Sequence, residues 1–317
     1  MTYRRLGSSG LAVSEVGIGC NNFGRRIDAA ASKAVVDAAI DCGITLFDTA
    51  DVYGDPPGAS EEYLGAALQG RRDDVIVATK FGSPMAGSNG SDWDARGSRR
   101  YVTKAVESSL RRLGTDYIDL YQLHQPDPDT PIAETLSALD DLVRAGKVRY
   151  VGSSNFTGWQ VADAAWTART AQTTAFISAQ NEYSLLERRI EKDLVPACQQ
   201  YGVGILPYFP LAMGLLTGKH HRDNIRPGTR LSHERFADYL AKAPWDTVEA
   251  LETFAQKRSL SLLDVAFGWL AAKPAVASVI AGASTPEQVR ANAAAVAWKP
   301  SAEDLAELDA VTTHPER

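Results

Sequence analysis

Cysteine is scarce in this chain, with three in 317 residues. Cys20, Cys42 and Cys198 are odd in number and far apart, which excludes a disulfide framework and fits a reducing cytoplasm. No His or Cys pair has the spacing of zinc ligands, and His220 and His221 are adjacent, so no metal site is expected. No apolar run approaches the length needed to span a bilayer. The N-terminal MTYRRLGSSG carries charge but no apolar segment after it, so a signal peptide is not expected. The net charge of −6 comes without a basic stripe, which argues against a nucleic-acid partner. The pairs Arg71–Arg72, Arg99–Arg100 and Arg111–Arg112 read as solvated helix edges. Internal repeats are missing, and no feature of the sequence specifies an oligomeric state.

What remains is an ordinary globular composition, 44% hydrophobic and 23% charged, in a chain long enough for two domains or one α/β barrel. Apolar, β-rich runs lie at 16–20, 45–50, 75–80, 118–124, 148–154, 176–182, 202–208 and 277–283. They are apolar on both faces, as strands of a covered parallel sheet should be. Helical stretches separate them. Asp28 can cap a helix over 29–42 that Gly43 ends. Thr130 and Pro131 start 131–145, which Gly146 ends. Thr285–Pro286–Glu287–Gln288 reads as a capping box. Eight strand–helix units predict a (β/α)8 barrel, here a single domain over 1–317. A Gly/Ser-rich loop is expected near 82–98, a long connection at 209–244, and extra helices at 245–258 and 302–311. The alternative, a doubly wound open sheet, requires GxGxxG after the first strand, and GIGCNNFG (17–24) misplaces the third glycine.

A barrel of this kind places its chemistry at the C-terminal ends of the strands. Asp48 ends strand two and Tyr53 follows it. Lys80 ends strand three and His124 ends strand four. Ser154 and Asn155, Gln180, Tyr208 and Ser284 stand at the ends of strands five to eight. An ammonium beside a phenol stabilises the phenolate and is expected to lower its pKa from the ordinary value of ~10. With a carboxylate to hold the ammonium and an imidazole to orient the substrate, the phenol can protonate a carbonyl oxygen. These residues alone make the chain a candidate carbonyl reductase.

The strings FDTADVYG, VATKFG, DLYQLHQPD, VGSSNF, AQNEYSLLER, PLAMGLLTGK and IAGASTPEQVRAN also resemble the aldo-keto reductases, from about residue 3 to about 298. The likeness is greatest to the bacterial and potassium-channel β-subunit branch. It implies a catalytic tetrad of Asp48, Tyr53, Lys80 and His124, and a nicotinamide cofactor bound across the barrel mouth without a Rossmann fold. NADPH is expected, with NADH possible.

By that resemblance Ser154, Asn155 and Gln180 meet the carboxamide and Tyr208 stacks on the ring. Phe209, Pro210, Leu211, Ala212 and Met213 run beneath the pyrophosphate through backbone groups, and Lys219 and Arg230 bring positive charge. Gly282, Ser284, Gln288 and Asn292 match the adenosine end, while Cys20, Asn21 and Asp48 adjoin the cofactor. Many members carry Lys and Arg for the 2′-phosphate where this chain has Gly282 and Gln288. GLLTGK (214–219) is no P-loop, being one residue short and followed by His220. Asn22, Phe23 and Trp93 are candidate substrate contacts beside Tyr53 and His124. The expected activity is reduction of a small-molecule aldehyde or ketone. A sugar dehydrogenase running in reverse is the alternative enzyme, and a cofactor-sensing subunit without activity the other reading. Channel subunits of this branch tend to carry Asn where this chain has His124, which favours the enzyme.

Overall fold

The apolar runs pair side by side into an eight-stranded sheet in which every pairing is parallel. The structure is a computed structural model and describes residues 1–312. In chain order the strands are Val16–Gly19, Leu46–Asp48, Ile76–Phe81, Ile118–Leu123, Val148–Ser154, Ser178–Gln180, Gly204–Ile205 and Val279–Gly282. Strand eight pairs with strand one, and one to seven follow in sequence. Strand seven meets the approach to strand eight through a parallel bridge, Ile205 to Val276, and Ile280 N donates to Pro207 O at 3.0 Å. The sheet curls into the (β/α)8 barrel of the sequence reading.

Strands six and seven are shorter than their apolar runs. Pro207 has no N–H to give a ladder, and beyond Gln180 pairing is reduced to one bridge between Glu182 and Tyr208. Tyr208 therefore sits on the rim after strand seven.

Two apolar layers result from alternation along the strands. One side packs against the helices in a single large core. The other fills the barrel with Leu46, Ala78, Leu120, Leu206 and Ile280, and Leu6 and Val13 from the N-terminal hairpin (Tyr3–Arg5 with Ala12–Ser14) join that cluster. Gly152 faces this interior because nothing larger fits: a Cβ there would come 2.0 Å from Ser178 Oγ and 3.2 Å from Gln122 Cγ.

Helix ends follow local chemistry. Asp28 accepts from Ala31 N at 2.8 Å and caps Ala29–Asp41, and Gly43 turns the chain away at φ 76°. Pro131 is the cap of Ile132–Arg144 and not its first residue, because its backbone is extended at ψ 134°. At Pro286–Ala295 the box is half formed. Thr285 accepts from Gln288 N, but the Gln288 side chain bends past the cap to accept from Ser284 N at 2.8 Å. The extra helices are Trp245–Lys257 and Ala302–Thr312.

The connection 209–244 holds short 3-10 turns, a two-residue ladder (His220–His221 with Asn224–Ile225) and the helix Ala237–Ala241. Among the described residues no helix is long and apolar enough to cross a membrane, and no group of three or more His, Cys, Asp or Glu is arranged to hold a metal.

Candidate active site

Register brings the strand ends together. Asp48 is opposite Gly19 and Ala78, Lys80 opposite Gln122, and Ser154 opposite Gln180. Residues scattered over more than a hundred positions thus share one rim. Lys80 is fully buried, and its Nζ donates to Asp48 Oδ2 at 2.6 Å and to Thr49 O at 2.9 Å. Asp48 Oδ1 accepts from Gln180 Nε2 at 2.8 Å and Gln122 Nε2 at 3.4 Å. Ser178 Oγ in turn donates to Gln122 Oε1 at 3.2 Å. The carboxylate is saturated with donors, which compensates its burial. Its field raises the Lys80 pKa although burial opposes it, so the ammonium stays charged.

Lys80 Nζ lies 5.0 Å from the centroid of the Tyr53 ring, and the ring meets His124 edge-on with centroids 5.7 Å apart. The sequence led to the expectation of a lowered phenol pKa. In the structure it is raised, because desolvation of the half-buried ring outweighs the pull of Lys80. Tyr53 is therefore a protonated donor at neutral pH. Burial, then the nearby Lys80, drives the His124 imidazole down to about 3, so it is neutral. Its Nδ1 lies 3.1 Å from Ser83 Oγ.

Tyr53, His124 and Asp48 open on a cavity of about 680 Å³ that extends to Ser284, Gln288 and Asn292 on the far side of the barrel mouth. Near the tetrad, Ser154 Oγ donates to Gln180 O at 2.9 Å, and Asn155 Nδ2 donates to His124 O at 3.0 Å. Tyr208 Oη donates to Asn155 Oδ1 at 2.8 Å. At the far end Asn292 is buried and makes no side-chain hydrogen bond among the described residues. Gly282 keeps that end open, since a Cβ would lie 3.3 Å from Asn22 Nδ2 and 3.5 Å from Asn21 Oδ1. Phe209, Pro210, Leu211, Met213, Lys219 and Arg230 line the middle. Phe209 and Met213 hold left-handed backbone, at φ 51° and 61°, conformations that store strain. A long cleft with apolar walls, an unpaired amide at one end and cations along it fits an extended dinucleotide.

Four expected contacts lie elsewhere. Ala212 is buried behind the wall, its carbonyl taken by Tyr239 Oη at 3.1 Å. Phe23 is fully buried in the helix-side core. Trp93 is 70% exposed and lies under Arg100. Cys20 is sealed beneath the rim, where burial pushes its thiol pKa well up. None of the four lines the cavity, a matter of burial and backbone pairing that is invisible in a string.

The structure adds further residues to the site. Gln122 signals itself only as a polar interruption of the apolar run IDLYQL. Arg26 lines the cavity from the loop after strand one, close enough to Arg230 to repel it. Burial and mutual repulsion among Arg25, Arg26, Arg230 and Arg235 lower the pKa of Arg26 and Arg230, and none of the four has an acidic partner among the described residues. Nothing in the sequence marked these arginines, since their proximity is created by two distant loops.

A protein-family model described as "Aldo/keto reductase family" matches residues 15–313. The chain belongs to the aldo/keto reductase family. It is accordingly an oxidoreductase of carbonyl compounds. Relatives include an uncharacterized oxidoreductase, YrpG, of Bacillus subtilis, 38% identical over 92% of this chain and 89% of that one. A probable voltage-gated potassium channel subunit beta of Oryza sativa subsp. japonica is 34% identical over 92% and 90%. The L-glyceraldehyde 3-phosphate reductase of Escherichia coli K12 is 35% identical over 98% and 92%.

Proposed function

We propose that this protein reduces small aldehydes or ketones with NADPH, using Tyr53 as general acid. The observation that carries this reading is the half-buried, protonated Tyr53 phenol between a charged Lys80 and a neutral His124, facing a cavity of about 680 Å³ that runs from these residues to Asn292. When bound, the nicotinamide supplies a hydride to the carbonyl carbon. Tyr53 gives its proton to the carbonyl oxygen. Lys80 then stabilises the phenolate left behind, and Asp48 keeps the ammonium in place. His124 orients the oxygen. Ser154, Asn155 and Gln180 hold the carboxamide, and Tyr208 stacks on the ring. Ser284, Gln288 and Asn292 take the adenosine end, and Lys219 and Arg230 the phosphates.

Proton transfer by a positioned group contributes ~100- to 10,000-fold. Tyr53→Phe should lose turnover by about that factor while NADPH affinity is kept, measured by steady-state rates and calorimetry. A variant as fast as the wild type would remove Tyr53 from the chemistry.

A further inference from the structure

We infer that Ser83 is a positioning residue that fixes His124 in the tautomer carrying its proton on Nε2. This rests on the reading of His124 as the group that orients a carbonyl oxygen.

The argument is an accounting of protons. Ser83 and His124 come from the ends of neighbouring strands three and four, and Ser83 Oγ lies 3.1 Å from His124 Nδ1. Ser83 is 8% exposed, and among the described residues its hydroxyl has no other hydrogen-bond partner. If Nδ1 carried the imidazole proton, Ser83 would accept it, and the hydroxyl's own proton would be buried without an acceptor. That arrangement is disfavoured. If Ser83 donates to Nδ1, both protons are used: the hydroxyl's in this bond, and the imidazole's on Nε2. The imidazole cannot satisfy both sides by taking a second proton, since burial and Lys80 keep it neutral.

The backbone restrains both partners. His124 N donates to Phe81 O at 2.7 Å, and His124 O accepts from Asn155 Nδ2 at 3.0 Å. Gly82, at φ 102°, supplies the turn that directs Ser83 back toward the ring, and a Cβ on it would come 2.9 Å from Leu123 Cδ1. The ring also packs edge-on against Tyr53.

The consequence is a matched pair of donors. Tyr53 Oη and His124 Nε2 both present a proton, and a carbonyl oxygen offers two lone pairs and no proton of its own. With the other tautomer, Nε2 would present a lone pair to the substrate oxygen and repel it.

The test combines a spectrum with kinetics. Nitrogen-15 spectra of histidine-labelled protein distinguish the neutral tautomers by which ring nitrogen lacks its proton, with His124→Asn as the assignment control. The wild type should show Nε2–H for His124, Ser83→Ala a mixture or the other form, and Ser83→Thr, which keeps the hydroxyl, a return to Nε2–H. With NADPH and 4-nitrobenzaldehyde, Ser83→Ala should lower kcat by about tenfold, less than the ~100- to 1,000-fold lost when a transition-state donor is removed outright. NADPH affinity should be unchanged, and Ser83→Thr should restore kcat. A wild-type spectrum with Nδ1–H, or a Ser83→Ala variant with wild-type tautomer and kcat, overturns the assignment. If Tyr53→Phe and His124→Asn also leave turnover intact, the proposed chemistry has failed as a whole. If they abolish it while Ser83→Ala is silent, only the role of Ser83 is lost.

Discussion

Lys80 and Asp48 form an ion pair closed to solvent, Nζ to Oδ2 at 2.6 Å, with the Lys80 side chain fully buried and that of Asp48 only 4% exposed. Such a pair is costly to assemble, but breaking it by removing one partner leaves an uncompensated buried charge, typically a loss of ~3–5 kcal/mol. Lys80→Met should destabilise the protein by about that amount in urea titrations. The double variant Asp48→Asn with Lys80→Met should recover much of the loss. If the single variant is as stable as the wild type, the pair is not the buried charge pair described.

Acid sensitivity follows from His124. Its folded value of about 3 lies below the ~6.5 of an unfolded chain. Above that unfolded value both states are neutral. Between the two values the unfolded chain binds the proton and the folded one does not. Stability therefore falls as pH drops, by up to about 1.4 kcal/mol per pH unit. His124→Asn should flatten stability against pH between about 6.5 and 4. Parallel curves for the two proteins would rule this out.

Tyr208 is set on the rim by its hydrogen bond to Asn155 Oδ1. If it stacks on nicotinamide, Tyr208→Ala should weaken NADPH binding by roughly 1–3 kcal/mol, by analogy with base–aromatic stacking. Calorimetry that returns an unchanged affinity removes it from the site.

Preference for NADPH over NADH should depend on the long loop as much as on strand eight. The N-terminus of helix Pro286–Ala295 favours an anion, but Gly282 and Gln288 bring no cation to it. Arg230→Ala should cost NADPH more than NADH, and Gln288→Arg should widen the preference. Equal use of both cofactors by the wild type would show the phosphate site to be misplaced.

The arginines at the cavity mouth repel one another without acidic partners. Arg26→Gln should therefore raise the thermal midpoint of the free protein while weakening NADPH, because the same repulsion is relieved by a bound anion. A variant that is both less stable and equally tight would mean that Arg26 packs and does not bind.

Much of this molecule was legible in the string. Apolar runs of strand length, separated by helices with caps at Asp28 and Thr285, specify a covered parallel sheet, and eight such units without GxGxxG after the first strand favour a barrel over a doubly wound sheet. A barrel also forces Asp48, Lys80, His124 and Gln180 onto one rim, since parallel strands end on the same side. Tertiary structure decided what depends on direction and on desolvation. Phe23 and Ala212 turned into the wall and Trp93 into solvent, because loop backbone, unlike a strand, has no period from which to read a side chain's face. The Tyr53 pKa moved up and not down, because the balance between burial and Lys80 exists only once water is gone. Gln122 and Ser83 came to hold Asp48 and His124, and Arg26 to oppose Arg230, through contacts between segments whose spacing in sequence carries no information about their distance in space.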